Sequence, residues 1–566
     1  MTAAEPLHDV TLNLWEPTWA ARKAVLVRHG GRLNYANFID NVCALYGQRT
    51  AFVLDRVLDL PGFKGHVLSF DDVRALVDRM AYALRALGVQ RGDRVGLVTL
   101  NRIEMAFCNF AAAKIGAIPV PMNFMLRGNE IEHIVQRAGI EPLVCDPGVF
   151  GMSIKDTSAV PSVKKWAMVG EHVQDGMASI PALMAEANGP VETVLPASRD
   201  DVAVLFFTSG TTGFPKGAML SHENVMIYVD VHVRWAARLQ PKMPKSLNRL
   251  AMLVMPVAAA AGYQQLLLNM GFGTPVYFSS RFDTEDIFEV VDRLRPSVFS
   301  GSPAMYRMLL AAGAADHDWT SIRTFGGGAD AFDDDLVRSV RALSARRTRL
   351  GFTRRAMFIR GYGMAEANSY VAMTPPFEAG DNCCGWVLPP VKYRIVDEDG
   401  RDVPRGQPGE LLLKGRNLLK GYWNDPEATA AAFTADGWYR TGDIMRVGRW
   451  RMLYFVGRSA DIIKSGGYKI SANEIDQHLT QHPYVEHASA VGIPHPIKGE
   501  RPFAAVKLRA GSTTSADDVL AWARDRIAPY KCPRAIVLMD DMPFTMSMKP
   551  KRREVRERLI AMLPEA

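Results

Sequence analysis

The feature that most constrains this chain is the alternation of short apolar runs with amphipathic helical stretches. One helical pattern begins at Ser69, which has capping-box spacing with Asp72, and ends at Gly88. The apolar run 94–100 follows it, and a second helical pattern covers 104–115. Because buried strands that alternate with helices are typical of parallel sheets, the pattern predicts an α/β architecture.

The alternation continues and then gives way to shorter elements. Apolar runs at 201–207 and 249–255 predict buried strands, whereas 392–414 changes to short strands and tight turns. The predicted fold class is therefore α/β, with a large N-terminal domain over 1–456 and a small α+β C-terminal domain over 457–566. The large domain is expected to hold layered, largely parallel sheets with flanking helices and a small β-rich part.

Composition excludes several classes of protein. The 566 residues are 48% hydrophobic and 22% charged, without an apolar run long enough to span a membrane. The six cysteines are sparse and form no CxxC pair, which predicts neither a zinc site nor a disulfide framework and favours a reducing cytoplasm. The net charge of +7 could serve nucleic acid, an anionic membrane or a polyphosphate ligand. No nucleic-acid recognition motif accompanies it, so no nucleic-acid partner is expected.

The strongest local motif is the segment 208–217, Thr-Ser-Gly-Thr-Thr-Gly-Phe-Pro-Lys-Gly, directly after a predicted strand. Its glycines let backbone N–H groups converge on an anion, its hydroxyls add donors, and Lys216 adds a positive charge. It is not a Walker A loop, because Pro215 and Gly217 stand on either side of the lysine. The alternative is a polar surface turn, since turns are also rich in Gly, Ser and Thr.

This segment closely resembles the signature loop of the adenylate-forming superfamily, which includes acyl-CoA synthetases, peptide-synthetase adenylation domains and luciferase. Further motifs follow in the family's order from about Ser69 to the C-terminus, and the chain looks most like a bacterial fatty-acyl-CoA ligase. The resemblance implies an enzyme that uses ATP and Mg²⁺ to convert a carboxylic acid to an acyl-adenylate and then transfers the acyl group to coenzyme A.

The resemblance also implies a nucleotide site. Tyr362 would stack on adenine, Glu366 with Thr208 would hold Mg²⁺, and Asp443 would accept hydrogen bonds from both ribose hydroxyls. Gly466 and Gly467 would line the path of the pantetheine arm. The nucleotide- and cofactor-binding residues implied in this way are Thr208, Ser209, Gly210, Thr211, Thr212, Gly213, Lys216, Gly327, Gly328, Ala329, Tyr362, Gly363, Ala365, Asp443, Arg458, Gly466 and Gly467.

The catalytic residues implied by the resemblance are Lys549, Glu366 and Lys216. Lys549 belongs to the C-terminal domain, which in the family rotates between the two half-reactions about a hinge, here near Ala460. The chain departs from the family where Ala365 replaces a usual Thr and where Met548 precedes the lysine. A contact to the α-phosphate and the geometry of the lysine loop are the properties that these departures affect.

The acyl pocket is predicted from the segment 256–261, Pro-Val-Ala-Ala-Ala-Ala, where relatives often carry an aromatic residue and a histidine. Small side chains leave room for a medium- or long-chain fatty acid or another bulky apolar acid, unless the alanines only pack a helix. Ala259, Tyr263 and Gly328 are the predicted substrate-binding residues, with Tyr263 as a gate to an acyl tunnel.

Two alternatives to the ligase stay open. Six Lys or Arg residues over 549–558 could meet the phosphates of coenzyme A, an acidic carrier protein or only solvent, so a fatty-acyl-AMP ligase that loads a carrier protein is the nearest rival. A nucleotide- or acyl-binding protein without turnover is the rival from another class. A cytoplasmic location is expected, and the sequence leaves both peripheral membrane contact and a homodimer open.

Overall fold

The computed structural model describes most of the chain. The described residues are 34–170, 173–196, 198–208, 215–239, 250–328, 332–348, 351–375, 380, 382–465, 468–495, 499–529, 531–544 and 550–563.

The longer α-helices are distributed along the whole described chain. They are α1 Phe38–Tyr46, α2 Phe70–Ala86, α3 Ile103–Lys114, α4 Gly128–Ala138, α5 Ile180–Ala185, α6 His222–Leu239, α7 Ala260–Phe272, α8 Thr284–Leu294, α9 Pro303–Ala311, α10 Asp334–Leu343, α11 Pro426–Ala432, α12 Ala472–Leu479, α13 Ala516–Arg524 and α14 Arg552–Met562.

The strands alternate with these helices through the first half of the chain and then follow one another more closely. They are β1 Thr50–Leu60, β2 Phe63–Ser69, β3 Arg94–Val98, β4 Ile118–Met122, β5 Pro142–Cys145, β6 Lys165–Met168, β7 Ala178–Ser179, β8 Val202–Thr208, β9 Lys216–Ser221, β10 Ala251–Leu253, β11 Val276–Phe278, β12 Val298–Gly301, β13 Thr324–Gly327, β14 Arg346–Arg347, β15 Thr353–Arg354, β16 Met357–Tyr362, β17 Ala372–Met373, β18 Cys383–Val387, β19 Lys392–Val396, β20 Gly409–Lys414, β21 Tyr439–Val447, β22 Leu453–Arg458, β23 Ile462–Ser465, β24 Tyr468–Ser471, β25 Val485–His495, β26 Gly499–Leu508 and β27 Ile536–Leu538.

Local sequence signals explain where the helices start. Ser69 caps α2 with the predicted capping box, because its hydroxyl accepts from the Asp72 N–H while its own N–H donates to the Asp72 carboxylate. Asp283 caps α8 with its side chain in the same manner. The predicted strands near 94–100 and 201–207 correspond to β3 and β8, and the predicted helix at 104–115 corresponds to α3.

The chain divides into two compact units. The first consists of residues 1–381, 387–392 and 414–437, and the second of 382–386, 393–413 and 438–566. The predicted boundary at 456/457 differs from this division, because several strands before residue 456 belong to the second unit. The assignment of two functional domains to 1–456 and 457–566 stays a prediction.

The first unit is built around two sheets. One has the strand order β17-β16-β13-β12-β10-β11-β1-β2, in which β16 through β1 run parallel and the outer strands antiparallel. The other has the order β4-β3-β5-β6-β7 and is parallel throughout. Apolar faces of helices α8 to α10 pack on the first sheet around buried Phe299, Trp319 and Phe325.

The second unit has two largely antiparallel sheets. Their orders are β19-β20-β21-β22-β18 and β24-β23-β26-β25, with β27 parallel to β26. The predicted fold class is confirmed: a large α/β region with a parallel sheet and helices precedes a small C-terminal domain. Among the described helices, none is both long enough and apolar enough to cross a membrane.

Candidate active site

The two residues that flank the glycine-rich loop lie side by side. β8 and β9 form an antiparallel hairpin in which Thr208 pairs with Lys216, and both residues are half-buried. The hairpin forms because Ala203 to Phe206 are apolar and buried. It therefore holds both ends of the predicted phosphate loop together. The loop residues Ser209, Gly210, Thr211, Thr212 and Gly213 lie outside the described residues.

The predicted metal-binding carboxylate meets the end of this hairpin. Thr208 Oγ1 donates a hydrogen bond to Glu366 Oε1 over 3.0 Å, and the hydroxyl of Tyr422 lies 3.4 Å from the same oxygen. Lys216 Nζ lies 5.6 Å from the centre of the Tyr422 ring, within reach of a cation–π interaction. Three predicted residues from two distant parts of the chain are thus brought together, along with Tyr422, which the sequence analysis did not identify.

Buried amides hold the turn that carries Glu366. Asn368 is fully buried at a φ of +51°, a conformation that Asn tolerates better than most residues. Its Nδ2 donates to the backbone oxygens of Asn224 and Val225 and to Gln264 Oε1 at distances from 2.9 to 3.1 Å. Asn417 Nδ2 donates to the Ala367 oxygen over 3.2 Å. These amide donors therefore hold the turn that carries Glu366, whereas the Oδ1 atoms of Asn368 and Asn417 are buried without a hydrogen-bond partner among the described residues.

The oxygens at this point fit the chemistry of Mg²⁺. Magnesium prefers hard oxygen ligands and usually takes one or two carboxylates together with substrate phosphates and water. Glu366 supplies a carboxylate and Thr208 a hydroxyl oxygen 3.0 Å from it, and their role as metal ligands stays a prediction. Within the described ranges, no cluster of three or more His, Cys, Asp or Glu side chains forms a cage made by protein alone. When bound here, the metal would neutralise phosphate charge.

A pocket of about 360 Å³ joins the other predicted motifs. Its wall includes five predicted residues, namely Ala259, Gly327, Gly328, Gly363 and Ala365. Gly363 has to be glycine, because a Cβ there would lie 1.2 Å from the Ser369 oxygen. Tyr370 also lines the pocket, and burial raises the pKa of its phenol to about 12, so the hydroxyl stays protonated.

Tyr362 and Ala329 are two further predicted nucleotide-binding residues. Tyr362 is half-buried at the end of β16, where it pairs with Ala372, and it is not among the residues that line the pocket. Ala329 lies outside the described residues.

Tyr263, predicted to gate an acyl tunnel, is fully buried and also absent from the pocket wall. Its ring packs at 5.8 to 6.4 Å from those of Tyr35, Phe110 and Phe206. The reason is helical geometry: α7 turns Ala260, Ala261 and Gln265 to the pocket, which leaves Tyr263 on a face that packs into the core. A gate at this position therefore has no support from the structure.

Asn101 shapes the pocket but carried no motif in the sequence analysis. Its side chain is nearly buried; Nδ2 donates to the Ser279 oxygen over 2.7 Å and Oδ1 accepts from the Val257 N–H over 3.0 Å. Val257 belongs to the alanine-rich segment whose residue Ala259 lines the pocket. The available signal was a polar residue shortly after a buried parallel strand, at the sheet edge where ligands bind in α/β folds.

The two predicted ribose contacts are paired in the second unit. Asp443 on β21 lies opposite Arg458 on β22, and Arg458 Nε is 3.2 Å from Asp443 Oδ1. Asp443 is almost fully buried, whereas the Arg458 side chain is mostly exposed. The remaining predicted residues of this unit, Gly466, Gly467 and Lys549, lie outside the described residues.

Comparison with known proteins decides the family. The AMP-binding enzyme family matches residues 39–423, and the AMP-binding enzyme C-terminal domain matches residues 474–549. The chain belongs to the AMP-binding enzyme family. The predicted superfamily and enzyme class, an AMP-forming acyl-CoA ligase, are confirmed, as are the cofactors of that class, ATP, Mg²⁺ and coenzyme A. The acid that this AMP-binding enzyme activates and the roles of its single residues stay predictions.

Relatives of this AMP-binding enzyme include two curated ligases and one solved structure. Feruloyl-CoA synthase of Amycolatopsis sp. is 31% identical over 500 residues, which cover 87% of this chain and 94% of that protein. The long-chain-fatty-acid–CoA ligase of Bacillus subtilis (strain 168) is 27% identical over 528 residues, covering 88% and 90%. The crystal structure of ATP-bound MatB from Rhodopseudomonas palustris matches with a TM-score of 0.79 and 26% identity, covering 94% of this chain and all of that one.

Proposed function

We propose that this protein joins a bulky apolar acid, best matched by an aromatic carboxylic acid, to coenzyme A in two steps. The observation that carries the proposal is one pocket whose wall contains both the glycines Gly327, Gly328 and Gly363 and the alanines Ala259 to Ala261. Glycines allow a ligand to approach the backbone closely, and the alanines leave space for a ring. Adenylate and acyl group would thus meet in the same cavity.

In the first step, a carboxylate oxygen attacks the α-phosphorus of ATP, the bond to pyrophosphate breaks, and acyl-AMP forms. A carboxylic acid is already ionised at neutral pH, so this step needs no general base. The obstacle is the approach of two anions, and positive groups placed before the reaction begins reduce it. Lys216 beside Thr208 and Glu366 is suited to this role from the first unit. Lys549 is the proposed second cation.

In the second step, the thiol of coenzyme A attacks the acyl carbon, a thioester forms, and AMP leaves with the bonding electron pair. A free thiol has a pKa near ~8.5, so a small fraction is thiolate at neutral pH. Rotation of the C-terminal domain about Ala460 would bring Gly466 and Gly467 to the pantetheine arm and remove Lys549. Such a rotation lets one pocket serve two different reactions.

The pocket wall offers both apolar and polar contacts to an aromatic ring. Met255, Ile359 and Met373 give apolar contacts, and Gln265, which is nearly buried, offers an amide to a polar ring substituent. The 31% identity to a feruloyl-CoA synthase supports this substrate class more than the 27% identity to a fatty-acid ligase supports a fatty acid.

The test combines a panel of acids with separation of the two half-reactions. The protein is incubated with ATP, Mg²⁺ and benzoic, cinnamic, hydroxycinnamic, medium-chain and long-chain fatty acids, with and without coenzyme A, and products are identified by mass spectrometry. We expect a hydroxycinnamoyl- or other aroyl-CoA only when coenzyme A is present. A fatty acyl-CoA as the main product would contradict the aromatic assignment while leaving the ligase intact.

Two further outcomes decide between the remaining alternatives. Acyl-AMP that accumulates unchanged after addition of coenzyme A would indicate a carrier-protein acceptor. ATP binding without AMP release from any acid would indicate a binding protein. The matched variants are Lys549→Ala, which should abolish acyl-AMP formation, and Lys551→Ala, whose lysine pairs with Glu554 on the same segment and should leave it unchanged.

A further inference from the structure

One stretch of sequence carries a positive charge as large as the net charge of the whole chain. Between Leu336 and Ala365 there are eight arginines and no acidic residue, while the whole chain has a formal net charge of +7. The rest of the chain is therefore close to neutral. A local excess of arginines of this size creates a positive electrostatic potential at one place on the surface.

The centre of this stretch is a two-stranded hairpin. β14 and β15 pair so that Arg346 faces Arg354 and Arg347 faces Thr353. Like charges directly opposite one another destabilise a strand pair. Burial, and then the charge of Arg354, lower the pKa of Arg346, whose Nη1 is shielded from water without a hydrogen-bond partner in the described structure. The hairpin thus holds charges that nothing within the described molecule balances.

An aromatic side chain projects from the same hairpin. Phe352 is 71% exposed, more than any other large apolar side chain in the described part of the chain. Two hydrogen bonds fix its backbone: the Thr348 N–H donates to the Phe352 oxygen over 2.8 Å, and the Phe352 N–H donates to Thr348 Oγ1 over 3.1 Å. Arg347, Arg354 and Arg355, all exposed, surround it in sequence.

A second basic segment, at the C-terminus, shows how this chain otherwise treats such charges. Every described basic residue over 551–558 has a carboxylate partner within 3.5 Å. The pairs are Lys551–Glu554, Arg552–Asp476, Arg553–Glu557, Arg556–Glu500 and Arg558–Asp541. By contrast, Arg346, Arg347, Arg354 and Arg355 form no ion pair with any described residue. The described residues therefore give these arginines no ion-pair partner, which leaves them available to an external anion.

We propose that the arginine hairpin, defined as Arg346, Arg347, Phe352, Arg354 and Arg355, docks the protein on an anionic phospholipid surface. Lipid phosphates supply the missing negative charges, and the interface accepts an exposed aromatic ring. The hairpin is connected to the start of β16, at Met357. The pocket lies at the other end of this strand, where Gly361 and Gly363 are part of its wall. Docking through the hairpin therefore leaves the pocket end of β16 uncovered, and the bilayer is also where an apolar acid partitions.

The test is co-sedimentation of the full chain with phosphatidylcholine vesicles that contain or lack phosphatidylglycerol. We expect binding only to the anionic vesicles and weaker binding at higher salt. Each arginine near an anionic surface strengthens binding about fivefold. The double variant Arg347→Ser/Arg354→Ser should therefore lower the partition coefficient about 25-fold, and Phe352→Ser should lower it about tenfold.

Matched controls remove the same groups elsewhere. Arg91→Ser/Arg509→Ser loses two exposed arginines, and Tyr484→Ser loses a 53% exposed ring; both should bind within about twofold of the parent protein. If the double variant does not fold, Arg354→Glu replaces it, because that change converts the repulsive pair into an attractive one. Melting temperature and ATP–pyrophosphate exchange with a water-soluble acid confirm that each variant is intact.

Several results would overturn the proposal. The parent protein could fail to sediment with anionic vesicles, the hairpin variants could bind as well as the parent, or the controls could lose as much binding as the hairpin variants. Loss of binding in the arginine variants without any loss in Phe352→Ser would contradict the part of the proposal that places the aromatic ring in the lipid interface.

Discussion

The two stretches of chain that flank β16 differ in how their unfavourable local features are stabilised. Before the strand, the arginine hairpin is exposed and sets Arg346 against Arg354 without a counter-charge in the described structure. After it, the turn around Glu366 contains Asn368, which is fully buried, has a positive φ and shares its Nδ2 group among three acceptors. Both stretches carry a local cost in free energy.

The difference lies in where that cost is offset. In the turn, contacts within the protein balance the strained backbone, which is the usual arrangement at functional sites. In the hairpin, no described contact balances the repulsion, so the balancing interaction is expected from a partner. Because contacts within the protein hold the turn, changes there are expected to affect catalysis and stability. Changes in the hairpin are expected to affect binding to the partner and to leave stability unchanged or improved.

The largest effect is expected from Glu366→Gln. The change keeps the shape of the side chain but removes the negative charge beside Thr208, and we expect acyl-AMP formation to fall by roughly 10²–10³-fold. The measurement is ATP–pyrophosphate exchange with the preferred acid. Glu427→Gln, an exposed glutamate on α11, is the control and should keep full activity. An active Glu366→Gln variant would remove Glu366 from the proposed phosphate and metal site.

The next largest effect is expected from Gly363→Ala. The added Cβ would lie 1.2 Å from the Ser369 oxygen, so the turn has to move, and a displacement of about 1 Å can cost about 100-fold in rate. We expect a loss of this size in acyl-AMP formation and a lower melting temperature. Gly151→Ala is the matched control, because a Cβ there meets nothing within 4 Å and its φ is not in the left-handed region.

A smaller effect, on stability, is expected from Asn368→Ala. The change leaves three buried acceptors without their donor and should lower the free energy of unfolding by about 2–3 kcal/mol. Asn424→Ala is the comparison, because Asn424 has a similar φ of +50° but is exposed, and its Nδ2 donates one hydrogen bond, to the Arg137 oxygen over 3.2 Å. It should cost about 1 kcal/mol or less. Equal losses in urea denaturation would contradict the idea that buried hydrogen bonds hold the turn.

The sequence predicted the fold class and most of the turn's neighbourhood, because these depend on local patterns. Thr208, Lys216 and Glu366 belong to compact motifs, and the structure brings them together. The positions of Asn101 and Tyr422 could not be predicted, since each acts through contacts made across the fold with segments far away in sequence. Periodicity also could not decide which face of α7 meets the pocket.

Tyr263 shows this limit. A tyrosine near an alanine-rich segment fits a pocket and a core equally well, and the direction of the helix face decides between them. The division into compact units has a related cause: several strands before residue 456 belong to the second unit, and pairing between strands is not visible in the motifs from which the boundary at 456/457 is predicted.

The smallest expected effect separates the hairpin from the turn most sharply. Arg354→Glu replaces a facing pair of like charges with an opposite pair, and such cross-strand pairs contribute roughly 0.2–1 kcal/mol. We expect the free energy of unfolding in urea to rise by about 0.5 kcal/mol, with unchanged pyrophosphate exchange on a water-soluble acid. Arg347→Glu is the control, because Arg347 faces Thr353 and makes the same change in charge without relieving a repulsion. If both variants gain equally, the general positive potential of the hairpin and not the Arg346–Arg354 pair is the source of the cost. If neither gains, the hairpin carries no unbalanced repulsion, and the contrast with the turn after β16 disappears.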